Sequence, residues 1–299
     1  MSPDIAEIAP GVWLASATLA DDRPNVPSGA PNAPNATLGA LDAPNATLGR
    51  LGTGAAGAFA EVRGGLPALA ADLAEPRRRR TEYLGEPATL AADLAEPRRG
   101  RTEYLGEPAA LAADLADART RPRWRRAEFL AGRQLLRWLL RRVRPELAAL
   151  PLRADPAGKP RLAGAGDLPG ITVSHDGDRI AAAVCAHGDV GVDVQLPPAE
   201  LADSTVRRCL GRHAPAVAAL PRGRRAREFA WVWTVQEACV KAAGTGLAGR
   251  PWAIDVPPGA VSGHWGGFTW LSLRHRSAVP LSCAFHPPDL PRPRRPPCT

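Results

Sequence analysis

The chain has 299 residues, of which 45% are hydrophobic, so it is long enough and apolar enough to bury a substantial core. Its 32 prolines and 29 glycines are too many for one uninterrupted domain, and its formal net charge of +8 comes almost wholly from arginine. No leader-like N-terminus and no bilayer-length apolar run is visible, and the five cysteines include no C-x-x-C pair. These features favour a cytoplasmic protein with reduced thiols.

The first predicted element is a strand around GVWLA, and residues 1–21 are expected to give the N-terminal half its first strand. A repetitive, low-complexity insert, partly disordered, is expected at 22–108, because LAADLAEPRRRRTEYLGEP is followed at once by LAADLAEPRRGRTEYLGEP. Solenoid repeats share core positions while their surfaces vary, so near-identity at every position favours recent duplication over a stacked repeat fold. The insert is given no function.

The segment 121–147, RPRWRRAEFLAGRQLLRWLLRRVRPEL, predicts the first long helix, within the remainder of the N-terminal half at 109–170. A stripe of arginines runs along this helix at about 100° per residue. Its members are Arg126, Arg133, Arg137, Arg141 and Arg144. The stripe is either a solvated basic face or an edge that faces phosphate groups.

A C-terminal half is expected at 171–290. It opens with the short strands ITV, RIAAAVCA and VGVDVQ, separated by the turns SHDGD and HGD, and this pattern predicts an antiparallel meander. Side chains alternate along a strand, so in VGVDVQ the valines point to one side and Asp193 and Gln195 share the opposite face. A polar, loop-rich stretch is expected at 196–226.

A helix is predicted over 229–243, and it is apolar on all but one thin strip. Glu237 and Lys241 lie on that strip, one turn apart. They form either an exposed ion pair worth about 0.3 kcal/mol or a pair of charges facing a cleft. A strand that presents Asp193 and Gln195 could add oxygen ligands for Mg²⁺, which takes one or two carboxylates and fills its shell with water and phosphate oxygens.

Lys241 and Lys159 are the only two lysines among the 38 Lys and Arg residues. The lysine ammonium group is a compact point charge, whereas the arginine guanidinium group is planar with fixed donor directions. Two retained lysines therefore suggest two sites where a guanidinium group would not fit. His175, in the turn SHDGD, either donates to a phosphate or is simply exposed. After the helix, FTWLSLRH and PLSCAF predict two strands, and residues 291–299 are expected to be a disordered tail.

Four of these segments occur in the order of the motifs of a known family: GKP at 158–160, SHDGD at 174–178, GVDVQ at 191–195 and FAWVWTVQEACVKAAGTGL at 229–247. In this order they resemble the motifs of the Sfp-type 4'-phosphopantetheinyl transferases. The likeness covers about residues 109–286. It implies an α/β (α+β) fold of two similar halves related by a pseudo-two-fold axis.

The resemblance also implies an activity of the holo-[acyl-carrier-protein] synthase type. Such an enzyme uses Mg²⁺ to move the 4'-phosphopantetheine group of coenzyme A onto a serine of an apo acyl or peptidyl carrier protein, and it releases adenosine 3',5'-bisphosphate. The carrier would serve fatty-acid, polyketide or nonribosomal-peptide biosynthesis, and the sequence leaves that choice open. A monomer is expected, with no membrane or nucleic-acid partner.

Carried over position by position, the resemblance implies that Asp193 and Glu237 are the metal carboxylates, with Gln195 beside them, and that Lys241 acts with them in catalysis. Whether Glu237 is ligand, base or both stays open. Contacts to coenzyme A are expected from Lys159 at the 3'-phosphate, from Lys241 and His175 at the pyrophosphate, and from Ser174, Arg133, Arg126 and Arg121.

Two positions depart from the family pattern. Gln195 stands where many relatives carry a second strand carboxylate, and Gln236 stands where a basic residue often precedes the helix glutamate. Both are expected to be tolerated, because an amide oxygen can still coordinate a metal or order a water. The carrier is expected to dock on the stretch 196–226, through the apolar side chains Val206, Leu210, Val217 and Leu220.

Two rival interpretations remain. The first is an arginine-rich nucleic-acid-binding protein that uses RRRR at 77–80 and RPRWRR at 121–126, with Trp124 stacking on a base. The second is a non-catalytic relative of the transferase family. The first leaves the two lysines and the Asp193 strand unexplained, and only a turnover measurement excludes the second.

Overall fold

The computed structural model describes residues 3–19 and 108–290. The duplicated insert up to residue 107, the RRRR run within it, the tail at 291–299 and its Cys298 lie outside the described residues. No helix in the two described ranges is both long and apolar enough to cross a membrane. Four cysteines of these ranges, Cys185, Cys209, Cys239 and Cys283, are buried and form no disulfide.

The described residues form ten strands and five helices, with short 3₁₀ turns between some of them. The strands are β1 (Asp4–Ala9), β2 (Val12–Thr18), β3 (Leu152–Ala154), β4 (Pro160–Leu162), β5 (Gly170–Asp176), β6 (Arg179–Cys185), β7 (Val190–Val194), β8 (Ser262–Trp265), β9 (Phe268–Ser272) and β10 (Leu281–Phe285). The helices are α1 (Pro108–Arg119), α2 (Arg123–Val143), α3 (Asp203–Leu210), α4 (Ala214–Ala218) and α5 (Arg222–Ala243).

The first sheet is antiparallel, in the order β1-β2-β6-β5. Its inner strand β6 is buried on both faces, whereas the edge strand β1 is largely exposed. On β6, Ala182 and Val184 point to the side covered by α2, while Ala181 and Ala183 point to the other side. The helix α2 covers the first face with fully buried leucines. These are Leu135, Leu136, Leu139 and Leu140. The strict alternation of a strand therefore joins two separate apolar clusters through one sheet.

The second sheet is also antiparallel, in the order β7-β10-β9-β8, and α5 packs across β7, β10 and β9. The three valines of β7 pack with Cys283 and Phe285 of β10 against the second face of the first sheet. The described layers are therefore helix α2, first sheet, second sheet and helix α5. This is a mixed helix-and-sheet fold, and the two-fold relation expected between its halves stays a prediction.

The predicted meander of β5, β6 and β7 is wrong in its third strand. The strand β5 pairs with β6, but β7 pairs with β10 of the second sheet. The reason is that both edges of β6 are already occupied, one by β2 and the other by β5. As a consequence, β5 and β6, which fall in the predicted C-terminal half at 171–290, share a sheet with the two N-terminal strands.

The stretch 196–226, expected to be a polar loop, contains α3, α4 and the first turn of α5. Its apolar side chains Val206, Leu210 and Val217 are 1%, 4% and 0% exposed, so the expected use of these three as carrier contacts is wrong. They point inward because each short helix buries its one apolar face. Only Leu220 is partly exposed, in a groove of about 320 Å³ between the 198–201 loop and the start of α5.

The arginine stripe of α2 is not a uniform solvated or phosphate-facing edge. Arg137 is 2% exposed, and its guanidinium donates to both carboxylate oxygens of Asp114, at 2.5 and 3.0 Å. It also donates to the carbonyl oxygens of Ala148 and Leu150. Because α1 covers this face of α2, Arg137 is buried and its hydrogen bonds connect α2 to α1 and to the segment at 148–150.

Candidate functional site

The site lies where β5, β7 and α5 meet. Gly191 of β7 has no side chain, so the backbone of α5 approaches the strand closely: a Cβ atom there would overlap the carbonyl oxygen of Ala238. Two residues further along the same face of β7, Asp193 points to α5 rather than into the valine cluster. The close packing of α5 on β7 thus brings Lys241 next to the carboxylate of Asp193.

Three side chains form a short hydrogen-bonded cluster. Lys241 Nζ donates to Asp193 Oδ1 at 2.5 Å and to Ser174 Oγ at 3.0 Å. Ser174 Oγ donates in turn to Asp193 Oδ1 at 2.8 Å and accepts the N–H of Val194 at 3.3 Å. The Asp193 side chain is 8% exposed and that of Lys241 is 29% exposed. The ammonium group therefore stands at the mouth of the site, with the carboxylate behind it.

Glu237 lies one turn before Lys241 on α5, and its residue is 6% exposed. Burial first, and then the negative charge of Asp193, raise the pKa of its carboxyl from 4.5 to about 7, although Lys241 acts in the opposite direction. One of its oxygens, Oε1, is buried and has no hydrogen-bond partner among the described residues. The site thus holds two interacting carboxylates, and the single ammonium group of Lys241 can balance only one of their two negative charges.

This arrangement fits a divalent cation. Asp193 and Glu237 provide two interacting carboxylates, and no cluster of three or more His, Cys, Asp or Glu side chains that could hold a metal ion is found within residues 3–19 and 108–290. Mg²⁺ is commonly held by one or two carboxylates together with waters and phosphate oxygens. A cation beside them would use the unpartnered oxygen of Glu237 and reduce the repulsion between the two acids. Gln195, 1% exposed, follows Asp193 on the same side of the chain.

His175, next to Ser174 on β5, faces the start of α2. Its Nδ1 lies 3.7 Å from the carboxylate of Glu128. Burial is the main cause that lowers the pKa of the imidazole, while Glu128 raises it and Lys241 and Arg125 lower it. The ring thus stands between the Lys241 cluster and the N-terminal turns of α2. Sequence reasoning missed Glu128 and Arg125, because no local pattern shows that the first turns of α2 lie next to β5.

Lys159 lies deeper than a loop lysine was expected to. Its side chain is 5% exposed, and Nζ donates to the carbonyl oxygen of Ala242 at 2.5 Å and lies 3.2 Å from Asp189 Oδ1. The guanidinium of Arg161 also binds the Asp189 carboxylate. Asp189 and Arg161 were likewise missed, since the turn HGD and the strand PRL gave no sign that they would meet. Lys159 is therefore bound to the end of α5.

The remaining predicted arginines lie around the corner between α1 and α2. Arg126 donates to the carbonyl oxygens of Arg119 and Arg121, which closes the C-terminal end of α1. The guanidinium groups of Arg121 and Arg133 lie over the ring of Phe129, at 4.6 and 4.9 Å from its centroid. Burial lowers the pKa of Arg133.

Arg133 differs from the other arginines of this corner in having a buried donor without a partner among the described residues. It lies 3.6 Å from the carboxylate of Asp117, and its Nη1 is buried without a hydrogen-bond partner among the described residues. An unpartnered guanidinium nitrogen favours an anion. Of the predicted arginines, Arg133 is thus the one whose surroundings call for an additional acceptor.

Gln236 has a definite structural role, where sequence reasoning had predicted only tolerance. Its Nε2 donates to the carbonyl oxygens of Cys209 and Ile254, both at 2.8 Å. These bonds join the end of α3 and the 3₁₀ turn at Pro251–Ala253 to α5. They also fix the rotation of the helix about its axis, which decides where Glu237 points.

Residues 189–283 match the family model described as ACPS: 4'-phosphopantetheinyl transferase superfamily. The matched segment runs from just before β7 into β10 and contains Asp193, Glu237 and Lys241, while Ser174 and His175 precede it. No curated protein matches the chain significantly. The family match supports phosphopantetheine transfer as the general activity of this region.

Proposed function

We propose that this protein transfers the 4'-phosphopantetheine group of coenzyme A to a serine of an apo acyl or peptidyl carrier protein, with Mg²⁺, and releases adenosine 3',5'-bisphosphate. The observation that carries the proposal is the convergence of Asp193, Glu237 and Lys241 within the segment that matches the superfamily. Two carboxylates and an ammonium group at one point suit a diphosphate and a divalent cation.

In the proposed reaction, the serine oxygen of the carrier attacks the β-phosphorus of coenzyme A, and the bond between that phosphorus and the bridging oxygen breaks. Lys241 offers N–H donors to the phosphate oxygens and stabilises the charge on the departing phosphate. Its 29% exposed side chain is placed for this, because the ammonium group is reachable from outside while Asp193 and Ser174 hold it from within.

The serine must lose a proton, and the unpartnered oxygen of Glu237 is an acceptor for it. The same oxygen is available to a metal ion, so ligand and base are both roles open to this carboxylate. Mg²⁺, held by Asp193 and Glu237 with Gln195 beside them, would supply positive charge that offsets the negative charge of the pyrophosphate. Ser174 would keep Asp193 oriented through its hydrogen bond to Oδ1.

Further contacts to coenzyme A are proposed at three residues. His175 stands beside Lys241 and can donate to a pyrophosphate oxygen. Ser174 has one O–H proton, so it can donate to the pyrophosphate only when its hydroxyl turns away from Asp193. Arg133 can offer its unpartnered Nη1 to a phosphate. Arg126 is left out, since its guanidinium already closes the end of α1.

The test is direct transfer. The protein is incubated with coenzyme A, Mg²⁺ and a panel of apo acyl and peptidyl carriers, and each carrier is weighed by intact-protein mass spectrometry. The proposal expects one carrier or more to gain a single phosphopantetheine group, with no gain when EDTA replaces Mg²⁺. No gain on any carrier, from a protein that binds coenzyme A, would instead support a non-catalytic relative.

The nucleic-acid interpretation is tested on the same preparation. The Trp124 side chain, 40% exposed, has the Arg125 guanidinium 4.9 Å from its ring centroid, so one face of the ring is already covered by its neighbour. Filter binding to RNA and DNA at two salt concentrations is run beside a coenzyme A titration. Tight and steeply salt-dependent binding without coenzyme A affinity would favour the rival.

A further inference from the structure

We propose that Lys159 is a positioning residue. Its ammonium group fastens the last turn of α5 and thereby sets where Lys241 and Glu237 lie, and it does not bind the 3'-phosphate of coenzyme A as the family resemblance implies. The kinetic part of the test rests on the proposed transferase function, whereas the structural part does not.

The ammonium group of Lys159 is committed to acceptors inside the protein. It donates to the carbonyl oxygen of Ala242 at 2.5 Å, and it lies 3.2 Å from the carboxylate of Asp189. With a side chain 5% exposed, it offers little surface to a ligand. A phosphate at this point would also approach the Asp189 carboxylate, which carries the same sign of charge.

The backbone around Lys159 is held independently of any ligand. Asp155 Oδ1 accepts the N–H groups of Ala157 and Lys159 at 3.0 and 2.9 Å, and the carbonyl oxygen of Lys159 accepts the N–H of Asp155 at 2.9 Å. Arg161 contacts both Asp155 and Asp189. These contacts hold the backbone of the loop in one conformation, which directs the Lys159 side chain to the end of α5.

The partner of the lysine is the end of the helix that carries the site. Ala242 follows Lys241 directly, and α5 stops at Gly244, whose φ of 71° is left-handed. The last carbonyl oxygens of a helix lack intrahelical donors, and a cation there is stabilising. Gly191 lets the same turn approach β7 closely. The turn is thus held between the strand and Lys159.

The structural test is hydrogen–deuterium exchange of the full chain, comparing Lys159→Met with Arg153→Met. Arg153 is exposed on β3, close to the loop that carries Lys159, so its variant removes one positive charge from the same hairpin. Positioning predicts that amides at 241–245 exchange about tenfold faster in Lys159→Met and unchanged in Arg153→Met. Unchanged exchange at 241–245 in Lys159→Met would overturn the inference.

The kinetic test compares coenzyme A with 3'-dephospho-coenzyme A. Positioning predicts that Lys159→Met lowers kcat about ten- to hundredfold, while the preference of the wild type between the two donors is kept. Loss of that preference with kcat retained would mean that Lys159 contacts the 3'-phosphate, and it would overturn the inference. If the wild type transfers nothing, the proposed function fails, and exchange at 241–245 decides the inference alone.

Lys159→Gln covers the case in which Lys159→Met does not fold. The glutamine keeps an N–H donor for the Ala242 carbonyl but lacks the charge that a phosphate contact needs. If Lys159 positions the end of α5, Lys159→Gln should have a kcat above that of Lys159→Met. If Lys159→Met does not fold, Lys159→Gln should still be a folded, active enzyme that prefers the same donor as the wild type. A folded Lys159→Gln variant that no longer distinguishes the two donors would contradict it.

Discussion

Glu237→Gln should make the metal-free protein more stable above neutral pH and leave its stability in mild acid nearly unchanged. The carboxyl of Glu237 has its pKa raised from 4.5 to about 7, chiefly by burial. Between these values the folded protein keeps a proton that the unfolded chain has released. Its stability therefore falls as the pH rises through this window. Glutamine resembles the protonated acid in shape and never ionises, so the variant escapes this loss.

The magnitude follows from the shift. A raised carboxyl contributes its full stability below the unfolded pKa, and that contribution is lost as the pH rises through the folded pKa. With the folded value at about 7, the loss amounts to about 3 kcal/mol above neutral pH. The free energy of unfolding of the variant should therefore exceed that of the wild type by up to about 3 kcal/mol at about pH 8, and the two should be equal at about pH 4.5.

The assay is urea denaturation in EDTA across this pH range, with Glu200→Gln as the control because Glu200 is exposed. The control should differ from the wild type by no more than about 0.5 kcal/mol at every pH. Addition of Mg²⁺ near about pH 8 should then stabilise the wild type and not Glu237→Gln. If the difference in stability between Glu237→Gln and the wild type does not grow with pH, the pKa of Glu237 is not raised, and Lys241 keeps the carboxylate ionised.

Three further substitutions test the supports of the site. Arg137→Met should lower the free energy of unfolding by about 3–5 kcal/mol, since it leaves Asp114 buried without its cation, and a loss below about 1 kcal/mol would contradict this. Gly191→Ala should lower the free energy of unfolding by about 3 kcal/mol, measured by denaturation, because the added methyl group displaces α5. The displacement should also weaken Mg²⁺ binding in calorimetry. If neither value changes, close contact between α5 and β7 at this glycine is not required. Gln236→Leu should lower the free energy of unfolding by about 1–3 kcal/mol, because the carbonyl oxygens of Cys209 and Ile254 lose their donor; a gain in stability would show that these two hydrogen bonds do not stabilise the fold.

The parts of the fold that follow from local pattern were predictable from the sequence. The alternation in VGVDVQ predicted that the valines face one way and Asp193 the other, and the packing of the three valines agrees. The long helices were predicted from apolar periodicity, although α5 begins at Arg222 rather than at 229. Such predictions succeed because period and burial are linked within a single element.

Long-range pairing was not predictable in the same way. Nothing in the residues around β7 tells that β6 already has two neighbours, so its true partner β10, about 90 residues later, had no local signal. The stripe on α2 shows the same limit. Periodicity placed Arg137 on a line with Arg126, but whether that line meets solvent depends on α1, whose Asp114 occupies it.

The candidate site was predictable as a set of residues and not as a set of contacts. The two lysines stood out by their rarity, yet the sequence could not tell that one would reach Asp193 and the other the end of α5. Glu128, Asp189 and Gln236 gave no signal of their roles, because each meets its partner across a gap in sequence that no motif spans.

We propose that Asp193 and Glu237 act together with Lys241 in one phosphopantetheine transfer site. The most direct measurement is the rate at which an apo carrier gains the phosphopantetheine mass, for Asp193→Ala, Glu237→Ala and Gln195→Ala side by side, each checked for wild-type folding by circular dichroism. We predict that the two acid variants lose Mg²⁺-dependent transfer and that Gln195→Ala is only weakened. A folded Glu237→Ala variant with full activity would contradict it.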